Sequence, residues 1–234
     1  MSRILAISDI HGHAEGARSL LSMADYIPGT DRLYLLGDFI DRGRDTWDAL
    51  GAVRQWTAEG AKALLGNMER WLLELSAEGN GLPEDSADLV FLKETPLYWR
   101  DGGDWLFVHA GIRPGVPLEQ QRASDLIGIR QEFWGQGAGL GQDQGQGQGQ
   151  GQSRSQAERL PYTVVFGHTP TFKLGAPAGE LWFGPDRIGI DTGAKHGCRL
   201  TLVDLTGGLS YSCSTAQPGV YTDYRIASFS GVGI

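Results

Sequence analysis

Five short stretches concentrate the side chains that can do chemistry. They are Ser8-Asp9-Ile10-His11-Gly12-His13, Gly37-Asp38-Phe39-Ile40-Asp41-Arg42-Gly43, Gly66-Asn67-Met68-Glu69, Phe107-Val108-His109-Ala110-Gly111 and Phe166-Gly167-His168-Thr169-Pro170. Each follows a short apolar run. Together they offer carboxylate, amide and imidazole donors and no thiolate. That donor set suits Mn, Fe, Zn or Mg rather than copper(I) or an iron–sulfur cluster. Six such ligands exceed what one open site needs but suffice for two ions if one carboxylate bridges. Two divalent ions about 3.5–4 Å apart are a recurring device for hydrolysing phosphoryl groups. Each stretch alone is weak, because Asp-x-His and Asp-Arg-Gly occur by chance and a lone histidine after a strand is commonly structural. Their order along the chain, each at a strand end, is what points to one crevice.

Positioning these stretches requires alternating strands and helices. Arg3–Ser8, Arg32–Leu36 and Ala61–Leu65 read as buried strands,. Ala14–Ala24, Thr46–Thr57, Asn67–Ala77 and Ser86–Glu94 read as helices,. A β-α-β-α-β-α opening implies a largely parallel sheet with covering helices. After Thr95 the texture changes to short strands between Gly-rich turns: Leu97–Arg100, Trp105–His109, Tyr162–Phe166, Arg187–Ile190, Arg199–Val203 and Leu209–Cys213. These suggest a second, more antiparallel sheet packed on the first.

The chain of 234 residues has room for one α/β domain, read here over 1–234,. Its 20 basic and 28 acidic residues give a net charge of −8, which disfavours a nucleic-acid partner,. No run approaches a membrane span, and the start shows no secretory pattern. Two cysteines, Cys198 and Cys213, make no disulfide framework, so a cytoplasmic setting is expected,. Glycine is the anomaly, with 35 residues. Part of the excess lies in a Gly/Gln-rich run, read as a flexible insertion over residues 135–157 that buries nothing.

On the five stretches, on Phe107–Glu119 (FVHAGIRPGVPLE) and on Ile190–Ala194 (IDTGA), the chain resembles the calcineurin-like metallophosphoesterases. More narrowly, it is similar to the bacterial branch of the PPP-type serine/threonine protein phosphatases. The resemblance implies a four-layer α/β/β/α sandwich of two mixed sheets. It implies that Asp9 and His11 hold a first divalent ion, that Asp38 bridges, and that Asn67, His109 and His168 complete the second; manganese is the first expectation, with Fe, Zn or Mg as alternatives. It implies that Arg42 holds phosphate oxygens and that Arg130, in Ile127–Glu132, is a second phosphate-binding arginine, whose bland reading is an exposed charge. The activity implied is hydrolysis of a phosphomonoester by hydroxide held between the metals, first of all phosphoserine or phosphothreonine in proteins, with a phosphorylated protein or a small phosphoester as the partner. Two alternatives stay open: hydrolysis of dinucleoside polyphosphates, and a weakly active or inactive protein that binds phosphorylated partners.

One position departs from the pattern. The third motif of the family reads Gly-Asn-His-Glu, and here Met68 stands where the histidine would protonate the leaving oxygen, oriented by Asp41. A thioether cannot donate a proton. Three of the five histidines are assigned to metal, which leaves His13 and His196. His196 follows the IDTGA strand and is the expected substitute; its bland reading is a surface histidine.

Overall fold

A computed structural model of the protein describes residues 2–135 and 160–230. In chain order the strands are β1 (Ile4–Ile7), β2 (Arg32–Leu35), β3 (Lys62–Ala63), β4 (Tyr98–Asp101), β5 (Trp105–Val108), β6 (Thr163–Phe166), β7 (Trp182–Gly184), β8 (Arg187–Gly189), β9 (Arg199–Asp204), β10 (Leu209–Gln217) and β11 (Val220–Ser228). The helices are α1 (Ala14–Met23), α2 (Ala49–Ala58), α3 (Asn67–Ala77), α4 (Ala87–Glu94), α5 (Ala123–Gly128) and α6 (Gln131–Trp134). One sheet has the order β11-β10-β9-β1-β2-β3 and the other β4-β5-β6-β8-β7. In the first sheet β1, β2 and β3 run parallel, and β9 joins β1 antiparallel. In the second, β5, β6 and β8 are parallel with an antiparallel strand at each edge.

The period-2 alternation of strand side chains sorts the core into three layers of contact. Leu5 and Ile7 of β1, with Leu33 and Leu35 of β2, face Leu20 of α1, Val53 of α2, Leu72 of α3 and Leu92 of α4. The alternate residues Ile4, Ala6, Tyr34 and Leu36 face Phe107, Val165 and Ile188 of the other sheet. There the rings of Tyr34 and Phe107 stack at 3.7 Å. On the far side, Leu106, Val108, Val164 and Phe166 face Leu126 and Phe133 of α5 and α6. The result is the four-layer α/β/β/α sandwich implied by the resemblance.

Two expectations change. Arg199–Val203 and Leu209–Cys213 do not enter the second sheet: as β9 and β10 they extend the first from the open edge of β1. Their side chains suit that place, because Leu200 and Leu202 continue the helix-facing core while Val203 enters the layer between the sheets. The edge strand β11 and the short β7 were not expected at all. The helix read from Thr46 begins instead at Ala49, after a 3₁₀ turn over Arg44–Thr46. The Gly/Gln-rich segment lies, beyond Gly135, outside the described residues, and both sheets take strands from either side of it. Among the described residues, no helix is long and apolar enough to cross a membrane.

Candidate metal centre

The turns that leave β1, β2, β5 and β6 and the start of α3 converge at one end of the two sheets. The turn after β1 runs beside the turn after β2, with the Asp9, His11 and Gly12 N–H groups donating to the carbonyls of Gly37, Asp38 and Phe39 at 3.1, 2.9 and 2.8 Å. Gly167 N–H likewise donates to His109 O at 2.8 Å, joining the turns after β6 and β5. Packing here is tight enough to demand glycine: a Cβ on Gly167 would stand 1.8 Å from Ser8 Oγ. Asp9, His11, Asp38 and His168 all adopt left-handed backbone, with φ of 53, 44, 51 and 66°. Such a conformation is costly for residues with a Cβ and persists where the surroundings over-determine it, a condition typical of functional sites.

All six expected ligands are brought together. Asp9, His11 and Asp38 form one group of potential ligand atoms mutually within 4.8 Å, and Asp38, His109 and His168 form a second. Asp38 belongs to both. Its Oδ2 lies 3.8 Å from His11 Nε2 and its Oδ1 3.4 Å from His109 Nε2. Asn67 joins the second group, with Oδ1 3.1 Å from His109 Nε2.

The polar atoms at this place fit a cation. His109 Nδ1 sits 2.7 Å from Leu36 O and His11 Nδ1 3.0 Å from Ile40 O. Each carbonyl calls for an N–H at Nδ1, so that in the neutral ring the lone pair falls on Nε2, the usual way a metal-binding histidine is oriented. In that tautomer His109 Nε2 faces Asn67 Oδ1 and Asp38 Oδ1, three atoms that can all accept. His168 Nε2 is buried and has no hydrogen-bond partner among the described residues. Burial, followed by the charges of His109 and Arg130, holds the His168 ring down to about 3, so it stays neutral. Burial would also lower His11, but the Asp9 and Asp38 carboxylates outweigh it and bring the ring up to about 9. Burial and the neighbouring Asp9 push Asp38 up. This is a cluster of acidic and basic groups that a cation would compete for by displacing protons.

Two further carboxyls shape the centre, and neither was singled out as a site residue. Glu69, in the first turn of α3, accepts from the N–H groups of Asp38, Phe39 and Gly66 at 2.8, 2.8 and 3.0 Å. It thereby ties the turn carrying Asp38 to the helix carrying Asn67. Asp191, of the IDTGA stretch, is buried, and burial and the charge of Asp9 push its carboxyl well above the usual range.

The groups expected to meet phosphate stand around this cluster. Arg42 is exposed, with its guanidinium 5.9 Å from the ring of Trp71, one helical turn beyond Asn67. Arg130 Nη1 donates to Thr169 Oγ1 at 3.3 Å, next to His168 in sequence. Met68 turns inward: it is 7% exposed and belongs to the core cluster that contains Leu72 and Trp47. His196 does not reach Asp41; its ring packs edge-on against Phe172, with centroids 5.6 Å apart. The residue of that turn that does reach Asp41 is its neighbour Lys195, whose Nζ donates to Asp41 Oδ1 at 2.9 Å. The expected role of His196 as substitute proton donor therefore has no geometric support.

A family model for calcineurin-like phosphoesterases matches residues 2–201. The chain belongs to this family. Its members work with a dinuclear divalent-metal site, and the two ligand groups sharing Asp38 are the matching feature here. A symmetrical bis(5'-nucleosyl)-tetraphosphatase of Aromatoleum aromaticum is 32% identical over 51% of this chain and 48% of its own length, and the first relatives matched are covered over about half their length. A protein of the same name from Methylococcus capsulatus is 27% identical over 95% of this chain and 97% of that one. A crystal structure provisionally named a diadenosine tetraphosphatase superposes with a TM-score of 0.67, at 25% identity, over 91% of this chain and 93% of that one.

Proposed function

We propose that this metal-dependent phosphoesterase hydrolyses dinucleoside polyphosphates, cutting a phosphoanhydride bond between two phosphates. The observation that carries the reading is the pair of potential ligand groups joined at Asp38, with His109 Nε2, Asn67 Oδ1 and Asp38 Oδ1 converging as ligands of one cation would. Asp9 and His11 would hold one divalent ion, Asn67, His109 and His168 the other, and Asp38 both. Manganese is the first ion to load. When bound, such a pair lowers the pKa of a water molecule and offsets the charge of phosphate oxygens.

The protein's own groups do the rest. Leu36 O and Ile40 O fix the two imidazole tautomers. Glu69 holds the Asp38 turn against α3. Arg42 and Arg130 each present a planar fork of donors that suits tetrahedral phosphate. The choice of substrate rests on the relatives and on Met68. An alcohol leaving group such as serine needs a proton as it departs, and Met68 supplies none. A phosphate leaving group ionises near pH 6 and departs without one. A reducing, cytoplasmic setting agrees with two free cysteines,.

The test is metal analysis of the purified protein joined to a substrate panel with added manganese: diadenosine tetraphosphate, p-nitrophenyl phosphate and a phosphoserine peptide. Two divalent ions per chain, loss of turnover on chelation and fastest turnover of the tetraphosphate are expected. Preferred turnover of the phosphoserine peptide would overturn the substrate reading. Activity that survives complete metal removal would overturn the metal reading.

A further inference from the structure

Asp41 is the carboxylate that, by the resemblance, would orient the proton donor absent at Met68. Here it is engaged by a cation instead. Lys195 Nζ lies 2.9 Å from each of its carboxylate oxygens. The same carboxylate has Oδ2 4.0 Å from His11 Nδ1, so the ammonium stands at the rim of the ligand cluster. Both partners are mounted on fixed turns. The Asp41 N–H donates to Thr46 Oγ1 at 2.8 Å, and the Trp47 indole donates to Asp41 O at 3.0 Å. Lys195 sits in a 3₁₀ turn bounded by Gly193 and Gly197, both left-handed at φ 89 and 69°, and Thr215 Oγ1 donates to Ala194 O at 2.9 Å. Lys195 is 42% exposed and Asp41 25% exposed at the side chain. An ion pair so open to water contributes little to folding. Its ammonium has donors to spare beyond Asp41.

We propose that Lys195, held by Asp41, binds the phosphate that leaves, replacing a proton donor with a fixed positive charge and so suiting the site to anionic leaving groups. The inference rests on the reading of the chain as a polyphosphate hydrolase. In the step it serves, a water oxygen bonds to phosphorus and the bridging P–O bond breaks. The bond pair stays on the bridging oxygen, which becomes a terminal oxygen of a nucleoside diphosphate. The protons of the attacking water pass to solvent. A strongly hydrated point charge with three donors matches the spread of charge on such a leaving group. It offers no comparable help to an aryl oxide, whose charge is single and partly delocalised into the ring.

The test uses Lys195→Ala and Lys195→Arg in the full chain, loaded with manganese. The first readout is turnover of diadenosine tetraphosphate against p-nitrophenyl phosphate. For Lys195→Ala, kcat on the tetraphosphate should fall roughly tenfold or more, the size of a lost charge-assisted hydrogen bond, while turnover of the aryl ester stays within about twofold. Lys195→Arg should recover most of the loss. The second readout is binding of adenosine diphosphate by calorimetry in the chelated protein, where Lys195→Ala should weaken affinity and Lys195→Arg should not. Equal losses on both substrates, or diphosphate affinity unchanged by Lys195→Ala, would overturn the proposal. If the wild type fails to cleave the tetraphosphate, the functional reading falls, and the diphosphate-binding comparison still decides the role of Lys195.

Discussion

Met68 sets what the centre can do to a leaving group. It lies against the core, and its N–H donates to Asp38 Oδ1 at 2.9 Å, so the backbone at this position serves the bridging carboxylate whatever the side chain is. Met68→His should therefore leave the ligand cluster intact while adding an acid. General acids contribute about 10²–10⁴-fold. Hydrolysis of a phosphoserine peptide should rise by at least about tenfold, and that of p-nitrophenyl phosphate, whose leaving oxygen is already a weak base, by far less. Parallel assays of the two esters check this, and equal gains on both would show that protonation does not limit the reaction. The gain should be larger in Met68→His combined with Lys195→Ala, because Asp41 is then released to orient the new ring. At this scale the candidate ligands that the structure brings together were legible, since each sits inside a contiguous turn motif. The Lys195–Asp41 pair was not, because its partners are 154 residues apart and local sequence says nothing of which residue of a turn will face inward. His196 lies in the same turn as Lys195 but packs on Phe172, while Lys195 reaches Asp41.

At the scale of elements, the centre depends on how α3 is tied to the turn after β2. Glu69 is wholly buried and gathers backbone N–H groups from both. Burial and the nearby Asp38 push its carboxyl up to about 7. Glu69→Ala would leave three buried donors without an acceptor, each costing about 1–3 kcal/mol, so a loss of at least about 3 kcal/mol is expected in urea denaturation of the metal-free protein. A change below about 0.5 kcal/mol would mean that the tie is dispensable. A second clamp joins the starts of β1 and β2, where Arg3 Nε and Nη2 donate to the Asp31 carboxylate at 3.1 and 2.6 Å. The Arg3 guanidinium holds that carboxyl below its ordinary value of 3.8. Its stabilisation is present above the unfolded value and is lost as pH falls through the lower folded one. Asp31→Asn should thus cost about 1 kcal/mol at pH 7 and nothing once the pH lies below the lowered folded value and both states are protonated. Thermal melts of the two proteins across that range test the sign. The elements around these clamps were readable because Pro28-Gly29 and the motif turns punctuate strongly apolar runs. The edge strand β11 was not, although Pro218-Gly219 marks its hairpin turn: Val220, Tyr224 and Ile226 are exposed, and Thr222, Asp223 and Arg225 interrupt the apolar run,. The sheet membership of β9 and β10 was hidden for another reason, because a strand's own residues do not encode which open edge it will join.

Across the whole molecule, the ligand cluster spans the two sheets. Asp9, His11, Asp38 and Asn67 follow strands of the first sheet, whereas His109 and His168 follow β5 and β6 of the second. A cation at the second group would therefore link one half of the sandwich to the other, above the apolar layer where Tyr34 stacks on Phe107. Divalent ions that bind the folded chain alone stabilise it by mass action, by about 2.7 kcal/mol for each ion present at a hundred times its dissociation constant. For a protein of this size each kcal/mol moves the melting temperature by roughly 2–4 °C. Two ions should raise Tm on the order of 10 °C over the chelated protein, measured by scanning calorimetry with manganese or with chelator. The same measurement on variants resolves how the ligands are shared. His168→Ala should remove about half of the shift, because the group of Asp9, His11 and Asp38 survives. Asp38→Asn should remove nearly all of it, because Asp38 stands in both groups. A full shift in Asp38→Asn, or none in the wild type at saturating manganese, would contradict a centre built on one shared carboxylate.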